Sequence, residues 1–163
     1  MWWREAIGAG PRGRDRVGAL FPRTGRGDFA FGRSIMSVES ERAPEPVGPY
    51  PHARWAGDFL YVSGVGPRQR GTSVIPRVEL DQAGRIIAAD IKAQCESCFA
   101  NVKAVVEDAG AEWSDVFDVL AFLTHMDRDF SEYNEVYAKW FAGPDGPRPT
   151  RTTVEIGALP TPI

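Results

Sequence analysis

Val116-Phe117-Asp118-Val119-Leu120-Ala121-Phe122-Leu123-Thr124 is an apolar run rich in β-branched and aromatic residues, the composition of a strand buried at the centre of a sheet. Downstream, Asp129 with Glu132 three residues later makes a capping box. The helix it opens carries Phe130, Tyr133, Tyr137 and Trp140 on one stripe until Gly143 breaks it, and the stripe reads as core. A Pro- and Gly-bearing loop at 143–149 follows. Then Arg148-Pro149-Thr150-Arg151-Thr152-Thr153-Val154-Glu155-Ile156 alternates as a strand, with Arg151, Thr153 and Glu155 on one face and Thr152, Val154 and Ile156 on the other. Upstream, Asp90 reads as the N-cap of a helix in which Ile91, Cys95, Phe99, Val102, Val106 and Ala109 recur every three or four residues before Gly110 ends it. Ahead of that helix, residues 59–63 form an apolar strand and 64–72 a loop bearing Arg68 and Arg70. Asp81-Gln82-Ala83-Gly84 is a turn joining short strands near 78–80 and 85–87. Strands and helices in this order predict an α+β domain with both helices on one face of a sheet.

At 163 residues, 43% apolar and 25% charged, the chain is long enough to bury one core without disulfide or metal staples. Its net charge of −3 is uneven: residues 1–35 hold seven Arg against Glu5, Asp15 and Asp28, giving 7 − 3 = +4, and the remainder is 12 − 19 = −7. A net acidic domain lacks the clustered positive charge that dominates nucleic-acid affinity, so no nucleic-acid partner is expected. The Arg-rich first segment, scattered with Gly and Pro, shows no sustained apolar periodicity. Residues 1–42 are therefore read as an N-terminal extension, disordered or an over-extended start, and 43–163 as the folded domain. No run approaches the ~20 apolar residues of a membrane helix, so no membrane partner is expected.

Cys95-Glu96-Ser97-Cys98 has the spacing of a redox or zinc pair, but it falls inside a helix and lacks a second ligand pair. Buried helix cysteines are the expectation, with no metal. The glycines of 64–72 do not fit the dinucleotide fingerprint, since no helix starts there. Arg151 is the leading anchor for a ligand, because a guanidinium fixed at a strand start offers a planar fork of donors to a carboxylate. The competing reading is a solvated arginine or one paired with a nearby acid.

Gly48-Pro49-Tyr50, Phe59-Leu60-Tyr61-Val62-Ser63-Gly64, Phe99-Ala100-Asn101-Val102-Lys103 with Ala109-Gly110, Phe130-Ser131-Glu132-Tyr133-Asn134-Glu135-Val136-Tyr137, Arg151 and Ala158-Leu159-Pro160 occur in that order. Together they resemble the RidA (YjgF) family of imine and enamine deaminases over residues 43–163. The resemblance implies a chorismate-mutase-like mixed sheet with two helices packed on one face, assembled as a cytoplasmic homotrimer with clefts between neighbouring subunits. It implies hydrolysis of an imine or enamine acid to a keto acid and ammonia, with no cofactor, because an imine is already a strong electrophile. By matching position, Arg151, Thr153, Asn134 and Tyr50 are the catalytic set and Arg151 with Ser63 binds substrate; the substrate-binding set also includes Arg68, His52, two residues after Tyr50 where an imidazole can relay a proton, and Glu155, on the Arg151 face. Many relatives carry Cys where this chain has Thr153, so no thiol contributes.

Within the family, Gly64-Val65-Gly66-Pro67-Arg68 with Gly71-Thr72 and Ile75-Pro76, Thr124-His125-Met126-Asp127-Arg128-Asp129-Phe130, and Leu159-Pro160-Thr161-Pro162-Ile163 are similar to 2-aminomuconate deaminase. A dicarboxylate buries two negative charges, and the second needs its own partner, for which Arg68 comes ahead of Arg70 and Arg77. The expected reaction takes 2-aminomuconate to 2-oxo-hex-3-enedioate in aromatic-compound or tryptophan catabolism. The alternatives are a broad-specificity 2-iminoacid deaminase and a non-catalytic carboxylate-binding regulatory trimer. Relatives continue past Leu-Pro into a last strand bearing an acid that orients the attacking water. This chain reads as lacking that strand, with Glu155 as the candidate substitute.

Overall fold

The computed structural model describes residues 2–8 and 35–163, with side chains from residue 36 onward. Two strands carry the core. In β4 (Phe59–Val65), Leu60, Val62 and Val65 are buried while Phe59 and Tyr61 are exposed; in β7 (Val116–Leu123), Val116, Val119, Ala121 and Leu123 are buried. The buried row of each strand meets helix α1 (Ile91–Asp108) and helix α2 (Met126–Phe141), whose Cys98, Phe99, Val102, Val106, Tyr133 and Phe141 complete one cluster. Each large side chain so buried contributes roughly 1.5–3 kcal/mol of transfer free energy. Both helices therefore lie on one face, as the sequence predicts.

The other elements are β1 (Trp2–Gly8), β2 (Ile35–Val38), β3 (Ala53–Ala56), the hairpin β5 (Val78–Leu80) and β6 (Ile86–Ala89), and β8 (Thr150–Glu155). The main sheet has the order β2-β3-β4-β1-β7-β8, antiparallel throughout except for the parallel pair β7 and β8. Asp81 builds the β5–β6 turn, accepting the Ala83 and Arg85 N–H groups at 2.9 Å, with Gly84 at φ 76. The sheet face away from the helices exposes Phe59, Tyr61 and Phe117, and the Phe59 and Phe117 rings meet edge-on at 5.9 Å.

Two sequence expectations change. The extension at 1–42 is not wholly outside the domain: β1 pairs with both β4 and β7 in the middle of the sheet, and β2 pairs with β3. Residues 9–34 of that extension lie outside the described residues. Between β4 and β7, β1 hydrogen-bonds to both neighbours, so neither of them is an edge of the sheet. A central strand supplied from a remote part of the sequence leaves no local signal, since Trp2–Gly8 is short and charged. Helix α2 also begins a turn earlier than the Asp129 capping box predicts. Its first N–H group, Met126, donates to Glu155 Oε2 at 2.6 Å, and Asp129 instead takes the Arg128 fork at 2.6 and 2.8 Å. Helix α1 meets its expectation, with the Asp90 side chain accepting the Ala93 N–H at 3.0 Å.

Candidate functional site

Strand β8 carries Arg151 in register with buried Val119, so the guanidinium emerges on the helix face beneath α2. There its Nη1 donates to Asn134 Oδ1 at 2.7 Å. Its Cζ lies 4.4 Å from the Tyr137 ring centroid, 5.3 Å from that of Tyr133 and 5.9 Å from that of Phe130. Among the described residues no carboxylate pairs with Arg151, which removes the paired-acid reading. A neutral acceptor and three π faces fix the cation's position without cancelling its charge, and the remaining N–H groups keep their capacity for an anion. Part of the stripe that reads as core is thus the bed on which this arginine lies.

Thr153, two residues on, is in register with buried Ala121 on the same face. Its hydroxyl and the Tyr133 phenol are both buried without a hydrogen-bond partner. Burial raises the Tyr133 pKa against the opposing influence of Thr153 and Arg151, so the phenol stays protonated. Glu155, at the far end of the strand, is occupied by the α2 N-terminus.

A second set of motif residues gathers elsewhere. Tyr50, His52, Ser63 and Arg68 line a cleft with Pro44 and Val47 at the end of β4. The Tyr50 ring packs on Gly48, where an added Cβ would meet it at 3.0 Å. The Ser63 hydroxyl donates to Pro51 O at 2.6 Å, leaving its lone pairs as acceptors. Buried His52 accepts the Ser40 N–H at Nδ1, 3.1 Å, which places the proton on Nε2, 3.2 Å from Pro44 O. With both nitrogens engaged, His52 ties the 39–44 segment to the cleft wall, and Glu39 Oε2 also lies 3.1 Å from Nδ1.

Arg68 donates to the Glu45 carbonyl. Its loop is held on α1 by Asn101, whose Nδ2 donates to Gly66 O and Arg68 O at 2.9 Å each, and by the Ser97 hydroxyl on Pro67 O at 2.8 Å. Arg70 is spent on Ser40 O and Ala43 O at 3.1 and 2.7 Å, which leaves Arg68 as the cation of the cleft. Asn101 belongs to a quoted motif, but its task as a loop clamp is not readable from spacing. Phe130, Tyr133 and Tyr137 carry the only signal of their role in being spaced three and four residues apart around Asn134.

The predicted residues therefore form two groups, one on β8 and α2, the other at the end of β4. Two strands intervene in the sheet, a separation of about 14 Å at ~4.8 Å per strand. Cys95 and Cys98 are buried and not joined in a disulfide, and burial pushes the Cys95 thiol far above its ordinary pKa, which is unlike a reactive dithiol. No group of His, Cys, Asp and Glu among the described residues could hold a metal ion. No helix among them is long and apolar enough to cross a membrane.

The arrangement is that of an α+β domain presenting an uncompensated guanidinium at its sheet edge, suited to a small carboxylate. Residues 40–163 match the sequence model of the endoribonuclease L-PSP family, and the chain belongs to this family, which includes the YjgF/RidA proteins. It is 40% identical over 126 residues to a RutC family protein of Sulfurisphaera tokodaii, covering 77% of this chain and 89% of that one. It is 33% identical over 123 residues to the 2-iminobutanoate/2-iminopropanoate deaminase of Dermatophagoides farinae, covering 76% and 84%. The crystal structure of Escherichia coli TdcF with bound serine superposes with a TM-score of 0.65 at 32% identity, covering 77% of this chain and 88% of TdcF.

Proposed function

We propose that this chain is a cofactor-independent deaminase that hydrolyses an imine or enamine acid to a keto acid and ammonia. The carrying observation is Arg151, held by Asn134 and three rings with its charge left free for a substrate carboxylate. Two relatives' names point the same way: the mite protein is called a 2-iminobutanoate/2-iminopropanoate deaminase and an Arabidopsis thaliana relative a reactive intermediate deaminase. An enamine first tautomerises to the imine. Water then adds to the C=N carbon, the π pair moves to nitrogen, and the carbinolamine expels ammonia as the carbonyl forms.

In this reading the chain works as a cytoplasmic homotrimer. The Arg151 half of one copy faces the Tyr50, Ser63 and Arg68 half of its neighbour, and the exposed Phe59, Tyr61 and Phe117 face is covered on assembly. The preferred substrate is 2-aminomuconate, whose distal carboxylate is held by Arg68 while Arg151 holds the carboxylate beside the reacting carbon. The mite relative's name favours a second reading, broad action on monocarboxylic 2-imino acids. A regulatory trimer that binds carboxylates without turnover is the third.

Ammonia release from 2-aminomuconate and from 2-iminopropanoate, by the wild type, Arg151→Ala and Arg68→Ala, separates these readings. The expected result is loss of both activities in Arg151→Ala. Arg68→Ala should lose at least ~10-fold in kcat/KM toward the dicarboxylate alone, about 1.4 kcal/mol. Equal effects of Arg68→Ala on both substrates favour broad specificity, and carboxylate binding by calorimetry without ammonia favours the regulatory reading.

A further inference from the structure

One row of register positions crosses four strands of the main sheet. Arg54 of β3 stands opposite Tyr61 of β4, Tyr61 opposite Ala6 of β1, and Ala6 opposite Asp118 of β7. Residues directly opposite in a sheet share a face, here the one turned away from the helices, on which Arg54 and Tyr61 are exposed. A cation and an anion therefore stand at the two ends of one row, three strand spacings or about 14 Å apart at ~4.8 Å per strand. That is too far for them to meet within one copy. Among the described residues no acid lies against Arg54 and no cation against Asp118, whose Oδ1 accepts the Thr150 hydroxyl at 2.6 Å. The surface around the row is apolar and open, with Phe59, Tyr61 and Phe117 exposed by 47, 42 and 42%. An apolar patch rimmed by charge marks a contact with another protein. The charges identify that protein, because a face with a cation at one side and an anion at the other complements a second copy of itself.

We propose that this face joins copies of the chain head to tail, with Arg54 of one copy paired to Asp118 of the next. The inference rests on the assembled form in the preceding reading and adds the ion pair that sets its direction and register. The candidate site has the same polarity. Tyr50 and His52 lead into β3, the strand of Arg54, whereas Asp118 stands opposite Thr150, the residue before Arg151 on β8. Joining the β3 side of one copy to the β7 and β8 side of another thus draws the two halves of the site towards each other. A head-to-tail contact leaves an unused end on every copy, and a closed ring satisfies them all. Setting Arg54 against Arg54, or Asp118 against Asp118, opposes like charges and is disfavoured.

Arg54→Glu is the decisive variant, because Arg54 is exposed and has no acid partner among the described residues of its own copy. Light scattering on the full chain over a range of concentrations should show a wild-type ring. In Arg54→Glu two acids face each other, and the midpoint concentration of assembly should rise at least ~10-fold. Asp118→Arg should weaken assembly alike. The double variant Arg54→Glu/Asp118→Arg exchanges the charges and should return the midpoint to within about threefold of the wild type. Circular dichroism checks the fold of each. Asp118→Asn, which keeps an acceptor for Thr150, should still raise the midpoint by roughly threefold, so the test stands even where Asp118→Arg unfolds. A wild-type monomer or two-fold dimer, an Arg54→Glu variant that assembles like the wild type, or a folded double variant no better than the single ones overturns the proposal. Those outcomes leave the deaminase chemistry in place. A wild type that forms the ring but releases no ammonia overturns the deaminase reading and leaves this one standing.

Discussion

Arg151 Nη1 donates to Asn134 Oδ1 at 2.7 Å, tying an edge strand to a helix residue 17 positions earlier in the chain. The acceptor is neutral, and that neutrality is the functional point. Asn134→Asp keeps the size and the acceptor but places a negative charge against the guanidinium. A carboxylate substrate would then compete with a built-in one, so KM should rise at least ~10-fold, about 1.4 kcal/mol of lost binding, with the fold intact by circular dichroism. An unchanged KM would show that Arg151 does not bind the substrate carboxylate.

Glu155 accepts the Met126 N–H at 2.6 Å and places its charge at the positive end of α2. Glu155→Ala should cost about 1 kcal/mol, a drop in Tm of roughly 2–4 °C, and Glu155→Gln, which keeps an acceptor, should lose less. A fall in kcat at unchanged Tm would instead assign Glu155 to catalysis.

Asp108 accepts the Ser40 hydroxyl at 2.6 Å and Arg42 Nε at 2.7 Å. Burial pushes its carboxyl pKa up, but Ser40 and Arg42 outweigh it and hold the pKa below the usual 3.8. A carboxyl depressed in the folded state binds fewer protons than in the unfolded chain. Its contribution is present above about pH 4 and is lost as pH falls through the folded value. Asp108→Asn should therefore be less stable than wild type at pH 7, with the two acid-unfolding curves converging below pH 4. A constant gap at every pH would mean that the carboxyl's charge is immaterial.

Gly146 closes the turn after α2, where an added Cβ would lie 2.3 Å from the Phe141 carbonyl oxygen and 2.5 Å from its carbon. Those atoms are backbone, and the same carbonyl accepts the Arg148 N–H at 3.0 Å. Gly146→Ala must displace the loop that leads into β8, at a cost of ~1–3 kcal/mol in urea unfolding. A midpoint equal to the wild type would show that the turn can yield freely.

What the sequence reveals follows from how local each signal is. The Asp90 cap, the 3.6-residue period to Ala109 and the Asp81 turn are written within a few residues, and the structure reproduces them. Asp129 and Glu132 mimic a capping box, yet the acceptor that starts α2 is Glu155, 29 residues further on. Arg151 and Asn134 are legible as chemistry but not as partners, and nothing in a six-residue strand says that three aromatic rings lie against its arginine. The place of Trp2–Gly8 between β4 and β7 is the least legible, because both neighbours are far from it in sequence.

That middle position has a consequence for how the molecule is made. Leaving the ribosome, Trp2–Gly8 can pair with β4 once residue 65 emerges, yet its other edge waits for β7, roughly a hundred residues after β1, a delay of several seconds or more at ~5–20 residues per second. Throughout that interval the nascent sheet exposes a row of unpaired amides and carbonyls, the same template that draws chains into aggregates. Production of this protein should accordingly respond to chaperone supply and translation speed more than its final stability would suggest.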